Sequence, residues 1–257
     1  MSKSLAGKRI VVIGGSSGIG FGVAKAALLD RAAEVFVVSS SKSKVDDAVK
    51  RLQTIVGETA GVNGVAKGEV VDASSVPQIK VFFSKIGEID HLVWTSGGGI
   101  DSSKRLPIGE ANLENQKDYY DLKFWGAAAA AQAAKFRGGA EASYTLTTGG
   151  SQLKPPAGWS LIASVLGAVD TLGRGLAVDL APVRVNTISP GLVKTELWDV
   201  SGFPKEVQNA IFDESAKKLL VKHVADADEI AESYLFVMKC AYVTGQTIQV
   251  DGGHSLV

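Results

Sequence analysis

The chain has 257 residues, 46% of them hydrophobic, and its 27 Lys and Arg balance 27 Asp and Glu. That length and apolar content allow one sizeable core, while the neutral balance excludes a general electrostatic pull toward nucleic acid or an anionic membrane. One cysteine, Cys240, cannot build a disulfide framework, and its apolar neighbours predict a buried helical thiol rather than a nucleophile. No linker rich in Pro, Ser or charge interrupts residues 1–257, so a single domain is expected. Residues 1–9 are polar and lack the apolar core of a leader, and no later run reads as long enough to span a bilayer, which predicts a cytoplasmic protein.

Residues 9–14 (RIVVIG) form a continuous apolar run ending in glycines, the pattern of a parallel strand buried on both faces. Helical spacing follows over 18–30, a strand over 34–39 (EVFVVS), a helix over 43–56 and a strand over 65–71. The alternation continues with a helix at 75–86, a strand at 91–95, a long helix at 112–136 and a strand at 143–148. A helix at 158–180 and a strand at 183–188 come next. Strands interleaved with helices predict a doubly wound parallel sheet of about seven strands with helices on both faces. The alanine run 127–131 and the Gly- and Ala-rich 158–180 are small-residue faces suited either to a subunit interface or to ordinary packing on the sheet.

Between the first strand and first helix stands Gly14-Gly15-Ser16-Ser17-Gly18-Ile19-Gly20. Glycines permit a tight turn and close approach of backbone to a pyrophosphate, and the helix N-terminus offers unpaired N–H groups to an anion. The three residues between Gly14 and Gly18, followed by Ile19-Gly20, resemble the short-chain dehydrogenase/reductase pattern. Further landmarks of that family fall in order: Asp72 after the third strand, Trp94-Thr95-Ser96-Gly97 in the slot of its Asn-Asn-Ala-Gly turn, and Arg184-Val185-Asn186-Thr187-Ile188-Ser189-Pro190-Gly191. Thr244-Gly245-Gln246 and Val250-Asp251-Gly252-Gly253 close the set, so the resemblance covers essentially the whole chain. It implies a Rossmann-like fold, a dinucleotide held by the glycine turn, Asp72, Ser96, Gly97, Pro190, Gly191, Val193 and Thr195, and a homodimer or homotetramer. After the second strand an NAD site carries an acidic residue for the ribose hydroxyls. Here Ser39-Ser40-Ser41-Lys42-Ser43-Lys44 stands instead, which favours NADP(H) through Ser40, Ser41 and Lys42; the alternative is a solvated turn with its lysines turned away.

Family enzymes reduce a carbonyl with a Tyr-x-x-x-Lys pair, a serine and an asparagine. In this chain the matching slots hold Leu161 and Val165, Thr148, and Lys123. No shift of register restores the pair, because no tyrosine lies between Tyr144 and Tyr234 and no Asp or Glu lies in 149–169. Lys123 is expected either to donate a proton or hold a polar substrate, or to be a helix lysine snorkelling to solvent. Trp159 either stacks on an aromatic or cationic substrate or caps its helix.

Leucine supplies neither acid nor base, so alcohol oxidation and ordinary ketone reduction lose their proton relay. An iminium carbon accepts hydride and gives a neutral amine, which needs positioning and a shielded pocket rather than an acid. The Pro155-Pro156-Ala157-Gly158-Trp159 segment before Leu161 and Leu122-Lys123-Phe124-Trp125-Gly126 also resemble the fungal NADPH-dependent reductase/Diels-Alderases of indole alkaloid biosynthesis, implying secondary metabolism. Three readings follow: an NADP(H)-dependent oxidoreductase with a rebuilt pocket, a non-redox cyclase or isomerase, and a non-catalytic nucleotide-binding protein. Residues 192–224, with Trp198, Phe203, Pro204 and Phe212, occupy the family's substrate lid and imply an apolar or aromatic small-molecule substrate, unless they only seal the sheet.

Overall fold

The structure, a computed structural model, describes residues 4–97, 105–199 and 203–257. Its main sheet contains β1 (Arg9–Ile13), β2 (Glu34–Ser39), β3 (Val65–Val70), β4 (His91–Trp94), β5 (Ser143–Thr147), β6 (Arg184–Pro190) and β7 (Thr247–Val250). All neighbours are parallel, in the order β7-β6-β5-β4-β1-β2-β3. The strand order reverses at β1, so the crevice beyond the carboxyl ends of β1 and β4 is the place where such sheets bind ligands.

The helices are α1 (Gly18–Leu29), α2 (Lys42–Glu58), α3 (Val76–Ile86), α4 (Lys117–Tyr120), α5 (Gly126–Ala133), α6 (Ser160–Asp179), α7 (Lys205–Lys218) and α8 (Ala227–Lys239). Alternate side chains of β1 feed two cores. Ile10 and Val12 pack with α1, α2 and α8, whereas Val11 and Ile13 pack with α3, α5 and Tyr144 of β5. Each fully buried Val, Leu or Ile contributes roughly 1.5–3 kcal/mol, which is why these runs are apolar on both faces.

Most boundaries fall within a residue or two of the sequence expectation, but 112–136 is not one helix. A 3₁₀ turn (Leu113–Gln116) leads into α4, a π turn (Asp121–Trp125) follows, α5 ends at Ala133, and Lys135–Phe136 pairs with Glu88–Ile89. The π turn is defined by the Gly126 N–H donating to Asp121 O, one residue farther back than in an α-helix. Gly126 sits where a Cβ would come within 2.1 Å of Ala73 O and 2.8 Å of the Trp94 ring, so the helix is pressed onto the sheet at that point.

Two further expectations need correction. Cys240 is not inside a helix but caps the end of α8, half-buried, with its N–H donating to Phe236 O at 2.9 Å. Contrary to the expectation that no run could span a bilayer, the 20 residues of α6, with mean hydropathy 1.5, are long and apolar enough by composition. In this fold α6 packs on β5 and β6 through Ile162, Val165, Leu166 and Val169, and its Asp170 bonds Thr247 and pairs with Arg174.

Candidate active site

The glycine turn is held by contacts that exclude side chains. At Gly14 (φ +87°) a Cβ would lie 2.6 Å from Ser96 N, and at Gly20 it would lie 2.2 Å from Gly14 O. Thr95 Oγ1 donates to Ile13 O at 2.9 Å, tying the ends of β1 and β4 together. Ser16 is buried, Ile19 packs against the core, and Ser17 occupies the N-cap of α1 without bonding a helix amide through its side chain. Gly18 (φ +52°) lies against Thr195, whose side chain is 3.3 Å from the Cβ position.

The amide at this turn already holds an anionic group: Gly18 N–H donates to a Glu196 carboxylate oxygen at 2.8 Å. The α1 N-terminus is thus shaped and polarised for negative charge, which fits a dinucleotide's pyrophosphate. Gly191 follows buried Pro190 and approaches Asp251 so closely that a Cβ would lie 2.8 Å from its Cα, while Val193 is buried beside the turn's own core cluster.

Ser40 is exposed, and Ser41 caps α2 by accepting from Lys44 N at 3.5 Å. Lys42 Nζ donates to Asp46 at 2.6 Å, an exposed i,i+4 pair of small net strength that a phosphate can displace. Asp72 is exposed and accepts from Ser74 N and Ser74 Oγ, at 2.9 and 2.7 Å.

Lys123 points inward. It is 7% exposed, and its Nζ lies 2.7 Å from where a Cβ on Gly97 would stand. Burial lowers its pKa to about 8, and among the described residues no carboxylate holds it up. Its stem and amine are folded against the end of β4 rather than extended from the surface. Thr148 is also buried, but its Oγ1 donates to Leu166 O at 2.7 Å, leaving only lone pairs for a ligand. Trp159 takes the N-cap position of α6, half-buried, with the Arg105 guanidinium over its ring at 5.2 Å. Val165 is buried in α6 and Leu161 half-buried one turn earlier. Among the described residues no hydrogen bond joins Lys123, Thr148 and Trp159; the π turn that carries Lys123 packs against α6, which Trp159 caps and to whose Leu166 carbonyl Thr148, at the end of β5, donates.

Several groups here escaped the sequence reading. Tyr119, four residues before Lys123 and so on the same face of the helix, has its phenol pushed up to about 12 by burial, within the field of Arg105. Tyr120 OH lies 3.3 Å from Ser164 Oγ and links α4 to α6. The Arg105 backbone seats against Gly158 (φ +79°), where a Cβ would come 3.1 Å from its carbonyl oxygen. Helical spacing could have found Tyr119; nothing local marks Arg105 or Glu196.

After Pro190-Gly191 the expected lid has a small core of its own. Trp198 and Phe212 meet edge to face at 5.1 Å, Trp198 Nε1 donates to Val193 O, and Gln208 Nε2 donates to Trp198 O and Phe203 O. Residues 200–202 of that segment lie outside the described residues. A cavity of about 410 Å³ between α1 and α7 is lined by Gly18, Arg51, Lys194 and Phe212, among others, and holds none of Lys123, Thr148 or Trp159.

The family model for an SDR-like Rossmann domain matches residues 1–257. The short-chain dehydrogenase/reductase ucsE of an Acremonium species is 39% identical over 96% of this chain and 94% of its own length. The short-chain dehydrogenase/reductase fsr5 of Gibberella fujikuroi is 31% identical over 97% and 95%. Among solved structures, the MalC reductase/Diels-Alderase of Malbranchea aurantiaca superposes with a TM-score of 0.86 at 29% identity, over 98% of both chains. A small-chain dehydrogenase crystallised with NADPH gives 0.75 at 30% identity, over 97% of this chain and all of that one. A parallel sheet with its crevice at β1 and β4, a glycine turn built for an anion and a whole-length family match lead to one assignment: the chain belongs to the short-chain dehydrogenase/reductase family.

Proposed function

We propose that this chain is a cytoplasmic NADP(H)-dependent oxidoreductase that passes hydride to an imine, an iminium or a related carbonyl of a small apolar metabolite. The observation that carries the reading is the combination of an intact glycine turn at Gly14–Gly20 with apolar Leu161 and Val165 on α6, where the family keeps its proton-relay pair. NADP(H) is supported by the relative crystallised with NADPH and by Ser40, Ser41 and Lys42 where an NAD site would place a carboxylate. Gly14, Ser16, Ser17, Gly18, Ile19 and Gly20 would hold the pyrophosphate, Asp72 the adenine, and Ser96, Gly97, Pro190, Gly191, Val193 and Thr195 the nicotinamide half.

Bound NADPH supplies the hydride. The chain's own residues then have to orient the acceptor, exclude water and stabilise charge. Trp159 offers an apolar face, Lys123 a charge close to Gly97, and Thr148 a lone pair from a hydroxyl that is fixed by Leu166 O. A substrate lid is expected from the segment 192–224, in which the described Trp198 and Phe212 form an apolar contact. Resemblance to a protein named a reductase/Diels-Alderase favours one second reading, a cyclisation that needs shape and desolvation more than a proton donor.

The test is NADPH oxidation with cyclic imines beside NADP reduction with simple alcohols. Imine reduction without alcohol oxidation is expected, and Lys123→Ala or Trp159→Ala should lose about two decades in rate, roughly 2–3 kcal/mol of transition-state stabilisation. Thr148→Ala should lose less, because its donor already serves the fold. Substrate turnover that is indifferent to cofactor removal would favour cyclisation, and vigorous alcohol oxidation would falsify the reductase reading.

A further inference from the structure

Among the described residues the charge on Lys123 has no counterpart. Its side chain is 7% exposed, and among the described residues neither a hydrogen bond nor an ion pair satisfies the ammonium. Helix geometry puts it there: the π turn, with Gly126 N–H reaching back to Asp121 O, and the pressing of Gly126 onto Ala73 O set the 121–125 segment against the sheet. Lysines in such a position normally uncoil to water or find a carboxylate, because a buried and unpaired cation is costly. Neither occurs. The ammonium stands beside Gly97 at the end of β4, in the crevice where the strand order reverses.

A ligand can supply the missing charge, and the surroundings say which kind. The head of α6, the helix on which the π turn packs, carries apolar Trp159, Leu161 and Val165, and residues 149–169 contain no Asp or Glu. A neutral apolar substrate would leave the ammonium uncompensated. An iminium by itself would place a second cation in the same low-dielectric space. A carboxylate cancels the charge, matches a single point donor, and on an imino acid also balances the iminium. A phosphate would call for more donors than one lysine provides.

We propose that the Lys123 ammonium is the anchor for a substrate carboxylate, so that the pocket takes keto or imino acids with an apolar body and turns their C=O or C=N carbon toward the cofactor. The acid anchor stands on Lys123 alone; the reducible group rests on the reductase reading above.

Binding separates the two. With the protein saturated by NADP, trans-cinnamate and its neutral isostere trans-cinnamamide are titrated and tryptophan fluorescence is followed. The acid should bind at least tenfold more tightly than the amide. Lys123→Met should abolish that preference while NADPH affinity stays within about twofold, and Lys123→Arg should keep most of it. Should Lys123→Met not fold, Lys123→Asn, which places the family's own residue at that slot, takes its place. Equal affinities in the unmodified protein, no saturable binding of the acid, or a preference that survives in a folded Lys123 variant overturns the proposal. A large loss of NADPH affinity in both Lys123→Met and Lys123→Asn also overturns it, because the ammonium would then serve the cofactor. Absence of NADPH oxidation with every keto and imino acid tried would count against the reductase reading and leave the acid preference measured.

Discussion

Burying Lys123 works against the fold, and the size of that cost follows from its proton equilibrium. Its pKa falls from 10.5 to about 8 through burial, so the folded protein binds that proton less tightly than the unfolded chain does. The penalty is fully present below about pH 8, shrinks as pH rises between about 8 and the unfolded value of 10.5, and vanishes above it. Lys123→Met should therefore stabilise the protein near pH 7 by roughly 3 kcal/mol, read from urea unfolding, with the gain fading toward pH 10. A destabilised variant at neutral pH would mean that the amine is satisfied in solution. At the turn after β2 the balance is gentler. Lys42 and Asp46 are exposed, so their pair is screened and easily opened. Lys42→Glu puts a carboxylate beside a 2′-phosphate and should lower the calorimetric preference for NADPH over NADH by about tenfold, ~1.4 kcal/mol. An unchanged ratio would remove Lys42 from cofactor selection. The candidate residues at this scale were legible because their chemistry is local: a glycine spacing, a missing acid, a serine and lysine run. Where each side chain points was not. Thr148 stands in the serine slot, yet its hydroxyl donates to Leu166 O, a partner that no pattern along the chain records.

Between elements, two arrangements decide how the site behaves. The first is the broken helix from Leu113 to Ala133. Its apolar spacing suggested one continuous rod over 112–136, yet a π turn takes up an extra residue immediately before Gly126, which lies against Ala73 O. Propensity cannot reveal this, since the cause lies in the loop after β3. The second is the carboxylate of Glu196, which bonds the first amide of α1 across 178 residues of sequence. A pyrophosphate would compete for the same amide and meet a like charge. Glu196→Gln removes the charge and weakens the bond, and NADPH should then bind about three- to tenfold more tightly, with a weaker salt dependence. Affinity that is unchanged or reduced would show that Glu196 withdraws freely or contacts the cofactor productively. At Gly20 the outcome is harsher: an added methyl group would collide with Gly14 O, so Gly20→Ala should abolish cofactor binding or unfold the turn, as thermal melts with and without NADPH would tell.

At the scale of the whole molecule, the two helices with small-residue faces part company. In α5, Ala127, Ala129, Ala130 and Ala131 are buried within the chain, so ordinary packing explains them. In α6, nothing among the described residues beyond the helix itself lies within 4 Å of a Cβ placed on Gly167 or Gly175, and Val178 is 77% exposed. The same helix is hydrophobic enough to be costly in water. We expect a homodimer or homotetramer that covers this face; light scattering should give a multiple of 26.8 kDa, and Gly167→Glu should shift it toward the monomer. A monomer at micromolar concentration in the unmodified protein would reject the expectation.

By itself the sequence determined the order of strands and helices, the parallel sheet they imply, the glycine turn and the family. These depend on periodicity and spacing within a few residues of one another, and burial on both faces of a strand leaves an unmistakable apolar run. The identity of the missing groups was equally plain, because Leu161 and Val165 cannot ionise wherever they lie. Only the tertiary structure decided that Lys123 turns inward with no counter-charge among the described residues, that Glu196 closes on α1, that Arg105 lies over Trp159 and in the field of Tyr119, and that α6 leaves its small-residue face open. Each of those facts is a meeting of segments distant in sequence. Electrostatic cost and close packing, which fix such meetings, are properties of the surroundings rather than of the residue, and no pattern along the chain records them.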